Sequence, residues 1–252
     1  MEYFVEQNSI VRKIWGKSNT VLFIFAGSAA EFALNKAVDW LYFTGKLPAD
    51  PLGRLFSTVS YARKIIFSEN ETSLKIIDSI YSIHKVVENN RASTIPDWAY
   101  RDVLYMLIYY SISSYEALER KLSDAEKEEV FAVFLRFGNR MNLKELAPNY
   151  TEWLQQRETD LANDLKKGEY TIDLFKQYKK HLGSIRYFLL IEGQKIIIPE
   201  KVRILLGFSK ISLLTFILPF YKLSRILHLD SSIKKILLPK KYQLQINEID
   251  VV

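Results

Sequence analysis

Two short stretches carry the residues whose types and spacing could support chemistry. In the first, residues 50–58 read DPLGRLFST, so Arg54 and Thr58 lie four apart at the predicted start of a helix. Their side chains therefore leave consecutive turns in the same direction. A guanidinium beside a hydroxyl at a helix N-terminus suits a carboxylate, a propionate or a reduced oxygen species. The residues alone also allow an ordinary helix start in which Arg54 pairs with a nearby acid.

The second stretch is a predicted amphipathic helix with one histidine. Leu74, Ile77, Tyr81, His84 and Val87 recur every three to four residues, which places them on one face. A lone histidine on such a face can be a core residue whose ring nitrogen is satisfied. It can also be an iron ligand, because a porphyrin supplies four nitrogens and haem needs one axial donor from the protein. Both interpretations stay open on the residues alone.

The composition excludes several other kinds of site. The 252 residues contain no Cys and only three His, at positions 84, 181 and 228. Disulfides, zinc–thiolate sites, iron–sulfur clusters and thiol nucleophiles are therefore excluded, and a three-histidine metal site would need every histidine. The chain has no GxSxG, P-loop, GxGxxG or HExxH motif.

Helices must position these side chains. Gly and Pro together are scarce (9 and 7 residues), and the intervals 54–95 and 97–137 contain neither. Such long uninterrupted intervals favour helices over strands. The patterning predicts helices over 54–67, 72–87, 96–120, 151–166 and 171–182, and another that opens with a capping box at Ser123. Only 195–198 could be a strand, so the predicted fold class is all-α.

The positive charge is concentrated near the C-terminus. The net charge is +6, but the segment from Lys201 to Lys241 has nine Lys and Arg against Asp230 alone. These cations alternate with apolar residues, as in basic amphipathic helices that bind a membrane surface or an anionic partner. Alternatively, the helices pack on the core and hold their lysines in solvent. We expect no nucleic-acid partner, because no nucleic-acid-binding motif accompanies the basic segment.

The N-terminal residues and the apolar stretches predict a cytoplasmic protein. The chain opens with two Glu among its first seven residues and shows no secretory signal pattern. Its longest strongly apolar stretches, 21–30 and 211–221, are shorter than the roughly 18–20 residues that span a bilayer. Contact with the inner membrane face through the basic segment remains compatible with this prediction.

The order of these features resembles the DUF2236 family, which includes rubber oxygenase (latex-clearing protein) and the membrane-bound oxygenase of mycophenolic acid biosynthesis. The similarity runs from about residue 8 to 208. It is carried by D-P-L-G-R-L-x-x-T at 50–58, Tyr61 and Phe67, an apolar-x-x-His pattern ending at His84, Tyr115-Glu116, L-S-x-A-E-x-E at 122–128, and a closing segment at 198–208.

The resemblance implies a single helical domain, residues 1–208, that encloses one haem b. His84 then becomes the axial iron ligand, and Arg54 and Thr58 become haem-pocket residues that assist the reaction. The implied activity is a haem-dependent oxygenation of a hydrophobic small molecule by O2; characterised members cleave an isoprenoid double bond. Residues 209–252 are expected to form a basic amphipathic extension packed on this domain.

The chain also departs from the family pattern. Ser57 stands where rubber oxygenase has a lysine, the stretch 102–105 (DVLY) lies where many members have a histidine, and Gly27-Ser28 replaces a His-Pro pair. Glu31 and Asp39 are weak candidates for a general base. These departures affect polyisoprene cleavage more than haem binding. The alternatives are a non-catalytic haem sensor or carrier, and a haem-free helical protein that binds a membrane surface or a partner.

Overall fold

The described part of the chain consists of helices joined by turns and loops. The computed structural model describes residues 2–226, apart from the side chains of residues 46, 48, 55, 220 and 222–226. The helices are α1 (Ile10–Trp15), α2 (Ser18–Phe32), α3 (Asp39–Phe43), α4 (Lys46–Ala49), α5 (Pro51–Phe67), α6 (Asn70–Arg91), α7 (Asp97–Leu118), α8 (Asp124–Arg140), α9 (Tyr150–Asn163), α10 (Glu169–Ile197), α11 (Glu200–Leu206) and α12 (Leu214–Ile226). Between residues 2 and 226 there is no strand, only two isolated β-bridges. The all-α prediction is confirmed.

Local capping explains where the site-bearing helix begins. The Asp50 side chain accepts a hydrogen bond from the Gly53 N–H (3.0 Å), and Pro51 occupies the first turn of α5. Carboxylates at the N-cap and proline at the first helical position both favour helix initiation. The helix therefore starts three residues before the predicted 54–67 and ends at the predicted residue. The neighbouring α6 extends beyond the predicted 72–87 at both ends.

The possible strand at residues 195–198 is not formed, because α10 runs on to Ile197. A glycine, Gly183, adopts φ 74° and ψ 169° and kinks α10, which then continues to Ile197. The predicted helix over 171–182 is the part before this kink. Residues 195–198 instead form the last turn of α10 and its C-cap, and Ile197 and Ile198 are buried in the core.

The Tyr115-Glu116 and 122–128 motifs build the turn between α7 and α8. Glu116 accepts hydrogen bonds from the Leu122 N–H (3.1 Å) and from Lys121 Nζ (2.7 Å). Ser123 and Glu126 form the predicted capping box, with each side chain bonded to the other residue's N–H. In this structure, these motif residues therefore position α7 and α8.

The core is centred on the packing of α2 against α7. Its buried apolar residues run from Phe4 to Leu206, and its largest side chains include Trp15, Trp153 and Tyr110. Gly27 of α2 lies directly against Tyr110 of α7. A Cβ added there would lie 2.2 Å from Cδ1 and Cε1 of Tyr110 and 2.9 Å from Cδ1 of Ile197.

We expect Gly27→Ala to destabilise the fold by at least about 1–3 kcal/mol, because Tyr110 has no room to withdraw. This cost exceeds the gain of up to about 1 kcal/mol that alanine brings to a helix interior. The matched control is Gly193→Ala in α10, where a Cβ would meet nothing closer than Phe23 Cζ at 3.9 Å. Urea unfolding should show a loss for the first variant and none for the second; equal midpoints would contradict the proposed contact.

The predicted C-terminal extension is described only in part. Helix α12 packs against α10, while residues 227–252 lie outside the described residues. The division at residues 208 and 209 therefore stays a prediction, as do basic helices beyond Ile226. Within the described helices, none combines the length and apolar character needed to cross a membrane.

Candidate functional site

Arg54 and Thr58 form one hydrogen-bonded unit on α5. Arg54 Nη1 donates to Thr58 Oγ1 (2.8 Å) and to Ser57 Oγ (3.3 Å). The two hydroxyls also bond back to the Arg54 carbonyl oxygen, at 3.3 and 2.7 Å. The helical period thus places the guanidinium beside the hydroxyl, as the spacing predicts.

The Arg54 guanidinium has no carboxylate partner among residues 2–226. It is half-buried, and this burial lowers the pKa of Arg54, while Tyr61 acts in the opposite direction. The alternative, in which Arg54 pairs with a nearby acid, is therefore not observed in the described part of the chain. A half-buried cation without a carboxylate is suited to an anionic ligand group.

His84 has one ring nitrogen, Nε2, without a hydrogen-bond partner among residues 2–226. Its Nδ1 lies 2.8 Å from the Ile80 carbonyl oxygen, and because a carbonyl only accepts, Nδ1 carries the proton. Nε2 then keeps its lone pair, which is the state that a metal-ligating histidine needs. Burial lowers the pKa of His84; the bond to Ile80 opposes this shift and the Arg54 charge adds to it. The imidazole is therefore neutral at physiological pH.

Helices α5 and α6 bring the three predicted site residues together. They pack against each other, and the influence of Arg54 on the pKa of His84 places the guanidinium close to the imidazole. His84 lies at the edge of the core and not within it, since it is half-buried and Tyr81 is 38% exposed. Of the five residues on the predicted face, Ile77 is buried, Leu74, His84 and Val87 are half-buried, and Tyr81 is exposed.

A second layer around His84 was missed by the sequence interpretation. The Tyr100 ring meets the imidazole edge-on, with ring centroids 5.3 Å apart. Tyr100 Oη donates to Glu88 Oε1 (3.2 Å), and this carboxylate also accepts from the Ile95 N–H (3.0 Å) and Lys85 (2.7 Å). The network ties α6 to the start of α7. Its only sequence signal is the position of Glu88 one turn after His84.

Both weak candidates for a general base have other partners. Glu31 accepts two hydrogen bonds of 2.6 Å from Arg157 and one of 2.8 Å from Tyr110, deep in the core. Asp39 accepts from Arg91 Nη2 at 2.6 Å. Neither carboxylate contacts His84, Arg54 or Thr58 through a described hydrogen bond, so the structure assigns both to ion pairs.

Asp102 on α7 belongs to a buried acidic cluster. Its carboxylate lies within 4.8 Å of those of Asp160 and Asp164 and accepts a hydrogen bond from Asn35 (2.7 Å). Burial, together with the charges of Asp160 and Asp164, raises the pKa of Asp102 to about 7. Asp102 is therefore largely protonated in mildly acidic solution.

This pKa predicts that the wild type loses stability as the pH rises. The folded pKa lies above the ordinary value of 3.8. Between about pH 4 and pH 7, the carboxyl group of Asp102 is therefore still protonated in the native state but already ionised in the unfolded chain. Relative to Asp102→Asn, which cannot ionise, the wild type should lose up to about 1.4 kcal/mol per pH unit in this window. Above about pH 7.5 the difference should level off. Urea unfolding of both proteins from pH 5 to 8 checks this, and a pH-independent difference would contradict it.

The comparisons with known proteins concern the family of the whole domain. The family model described as "ER-bound oxygenase mpaB/B'/Rubber oxygenase, catalytic domain" matches residues 14–209. Searches of the curated proteins and of the solved structures give no significant match. The matched residues include α2 to α11 and the three site residues, and they confirm the resemblance found in the sequence. The chain belongs to the family of mpaB-type and rubber oxygenase catalytic domains.

Proposed function

We propose that this protein is a haem b-dependent oxygenase that uses O2 to oxidise a hydrophobic small molecule. The observation that carries the proposal is the juxtaposition of a neutral His84, whose Nε2 is free, with an Arg54 guanidinium that has no described carboxylate partner. This donor set fits haem, which needs one axial nitrogen and carries anionic propionates. When bound, haem would supply the activation of O2.

The protein side chains have distinct tasks in this proposal. The Ile80 carbonyl accepts the Nδ1 proton of His84 and so keeps Nε2 unprotonated, which would allow His84 to hold the haem iron. Arg54 supplies positive charge for a propionate or for negative charge that develops on oxygen during the reaction. Thr58 and Ser57 bond to Nη1 and thereby orient the guanidinium. Because Ser57 is short, the lysine that can cover the iron in rubber oxygenase has no equivalent here.

Exposed apolar side chains on α5 and on a helix that packs against it favour an apolar ligand. Tyr61, close to Arg54, is exposed. Helix α10, which packs against α4 and α5, carries the exposed side chains of Ile185 and Phe188. Exposed apolar side chains of this kind are typical of surfaces that a ligand or a partner covers. They support a hydrophobic substrate without defining its identity.

The test of the proposal is an absorption spectrum followed by an oxygen-uptake assay. Protein purified from haem-replete cells should show a Soret band and contain one haem per chain. With a reductant and unsaturated lipids or isoprenoids, it should then consume O2 and form oxygenated product. A haem-free protein would overturn the proposal. Haem binding without substrate-dependent O2 uptake would instead support the sensor or carrier.

A peripheral membrane contact is a second proposal, carried by the surface around α11 and α12. Ile211, Leu213, Phe216 and Ile217 are exposed, and Lys210 beside them is exposed as well. Apolar side chains flanked by cations suit an anionic lipid surface. The protein should therefore sediment with anionic liposomes at low salt and less at high salt, because salt screens the attraction. Absence of binding at low salt would contradict the proposal.

A further inference from the structure

The His84 imidazole is tied to its own helix by one hydrogen bond. Its Nδ1 donates to the Ile80 carbonyl oxygen at 2.8 Å, and the two residues lie one turn apart on α6. The terminal torsion of a histidine side chain has broad minima, and a carbonyl oxygen accepts hydrogen bonds over a wide range of directions. This bond therefore selects the tautomer but leaves the plane of the ring free to rock. A second contact is needed to fix the direction of Nε2.

The Tyr100 ring on α7 supplies a second contact. Its centroid lies 5.3 Å from the imidazole centroid, and the two ring planes are inclined at 76°. Rings in such a T-shaped arrangement attract each other, because the positive edge of one meets the negative face of the other. A rotation of the imidazole would break this contact as well as the bond to Ile80. The contact comes from a different helix, so it ties the ring plane to α7.

Tyr100 is itself fixed at both ends of its side chain. Its Oη donates to Glu88 Oε1 at 3.2 Å, and the same oxygen accepts from the Ile95 N–H at 3.0 Å. Glu88 is buried, and its other oxygen accepts from Lys85 Nζ at 2.7 Å. The body of Tyr100 packs against a small apolar cluster that is separate from the main core, formed by Ala37, Ile95 and Ala99 with Trp40 and Trp98. The ring beside His84 is therefore held in place on all these sides.

We propose that Tyr100 is a positioning residue that fixes the plane of the His84 imidazole and, through it, the direction of the Nε2 lone pair. The Tyr100 ring acts on His84 directly, and Glu88 acts by holding the tyrosine. The inference rests on the proposed function for the role of Nε2 as the axial ligand of haem. The orientation of the ring is a property of the chain itself. Replacing a residue that orients a metal-ligating histidine typically changes metal affinity by about 10–100-fold.

The first test uses the full chain without haem, so it does not depend on the proposed function. Long-range proton–nitrogen NMR spectra distinguish the two tautomers of a neutral imidazole. Wild-type His84 should show the Nδ1–H tautomer alone, with nuclear Overhauser effects between its ring and that of Tyr100. Tyr100→Leu should populate both tautomers, because the imidazole can then leave the Ile80 carbonyl. Tyr100→Phe keeps the ring and should restore the single tautomer.

The matched control is Tyr81→Leu, the same substitution at another tyrosine near His84. Tyr81 lies three residues before His84 on α6, and its ring faces Lys85 Nζ at 5.4 Å. Its removal should leave the His84 tautomer unchanged. Circular dichroism and urea unfolding of each variant show whether the fold is kept. If Tyr100→Leu does not fold, the effects between the two rings in the wild type still decide whether the contact exists.

The second test measures haem loss from the loaded protein to excess apomyoglobin. Tyr100→Leu should lose haem at least about tenfold faster than the wild type, and Tyr100→Phe should stay within about twofold of it. Three results would overturn the proposal: no contact between the two rings in the wild type, a single Nδ1–H tautomer in folded Tyr100→Leu, and equal rates of haem loss. A wild type that binds no haem contradicts the proposed function instead, while the tautomer spectra still judge the role of Tyr100.

Discussion

Replacing His84 with glycine should remove the Soret band of the purified protein, and added imidazole should restore it. The reason is the geometry of the ring: Nδ1 is held by the Ile80 carbonyl, and Nε2 alone is free to bind iron. Without the ring, α6 offers no other nitrogen donor at this position, whereas free imidazole can occupy the space that glycine leaves. The measurement is the absorption spectrum per mole of protein, with and without imidazole.

The control for this prediction is His181→Gly, the same substitution on α10. It should leave the Soret band intact, because His181 makes no described contact with Arg54, Thr58 or His84. Circular dichroism accompanies both variants, since glycine in a helix interior costs about 1 kcal/mol. If His84→Gly retains the band while His181→Gly loses it, the axial ligand is His181 and the assignment of His84 is wrong.

The second large effect is expected from Arg157→Met, which should destabilise the fold by about 3–5 kcal/mol. Arg157 and Glu31 form an ion pair whose side chains are 4% and 1% exposed, and the same carboxylate accepts from Tyr110. Removing the guanidinium leaves a buried carboxylate without its counter-charge, so the loss comes mainly from the unpaired Glu31. Urea unfolding followed by circular dichroism measures it.

The chain contains a matched control for this prediction. Arg140 pairs with Asp78 at the same distance, 2.6 Å, but the two side chains are 45% and 50% exposed. Arg140→Met should therefore change stability little, because exposed pairs contribute little. The double variant Arg157→Met with Glu31→Gln should recover part of the lost stability. Equal effects of the two arginine substitutions would show that burial does not determine the strength of these pairs.

Local geometry explains what the sequence could predict. The start of α8 and the contact of Arg54 with Thr58 depend on residues within one helical turn, so capping and periodicity suffice. The pairing of Glu31 with Arg157 joins residues 126 positions apart, and no local pattern reports it. The same holds for Gly27. This position has no room for a Cβ, because Tyr110 on another helix lies against it. The family motifs predict the site residues, but the influence of the Arg54 charge on His84 depends on the packing of α5 on α6.

The hydrogen-bond acceptor of His84 is a main-chain carbonyl, and this has a consequence for how the site tolerates mutation. No side-chain replacement at position 80 can delete that oxygen, since every residue type carries one. The helix backbone therefore determines which tautomer the imidazole adopts. Arg54, Ser57 and Thr58 interact through their side chains, and one nucleotide change can alter each. Substitutions that accumulate in such a domain would therefore change the groups beside His84 long before they change the protonation state of its imidazole.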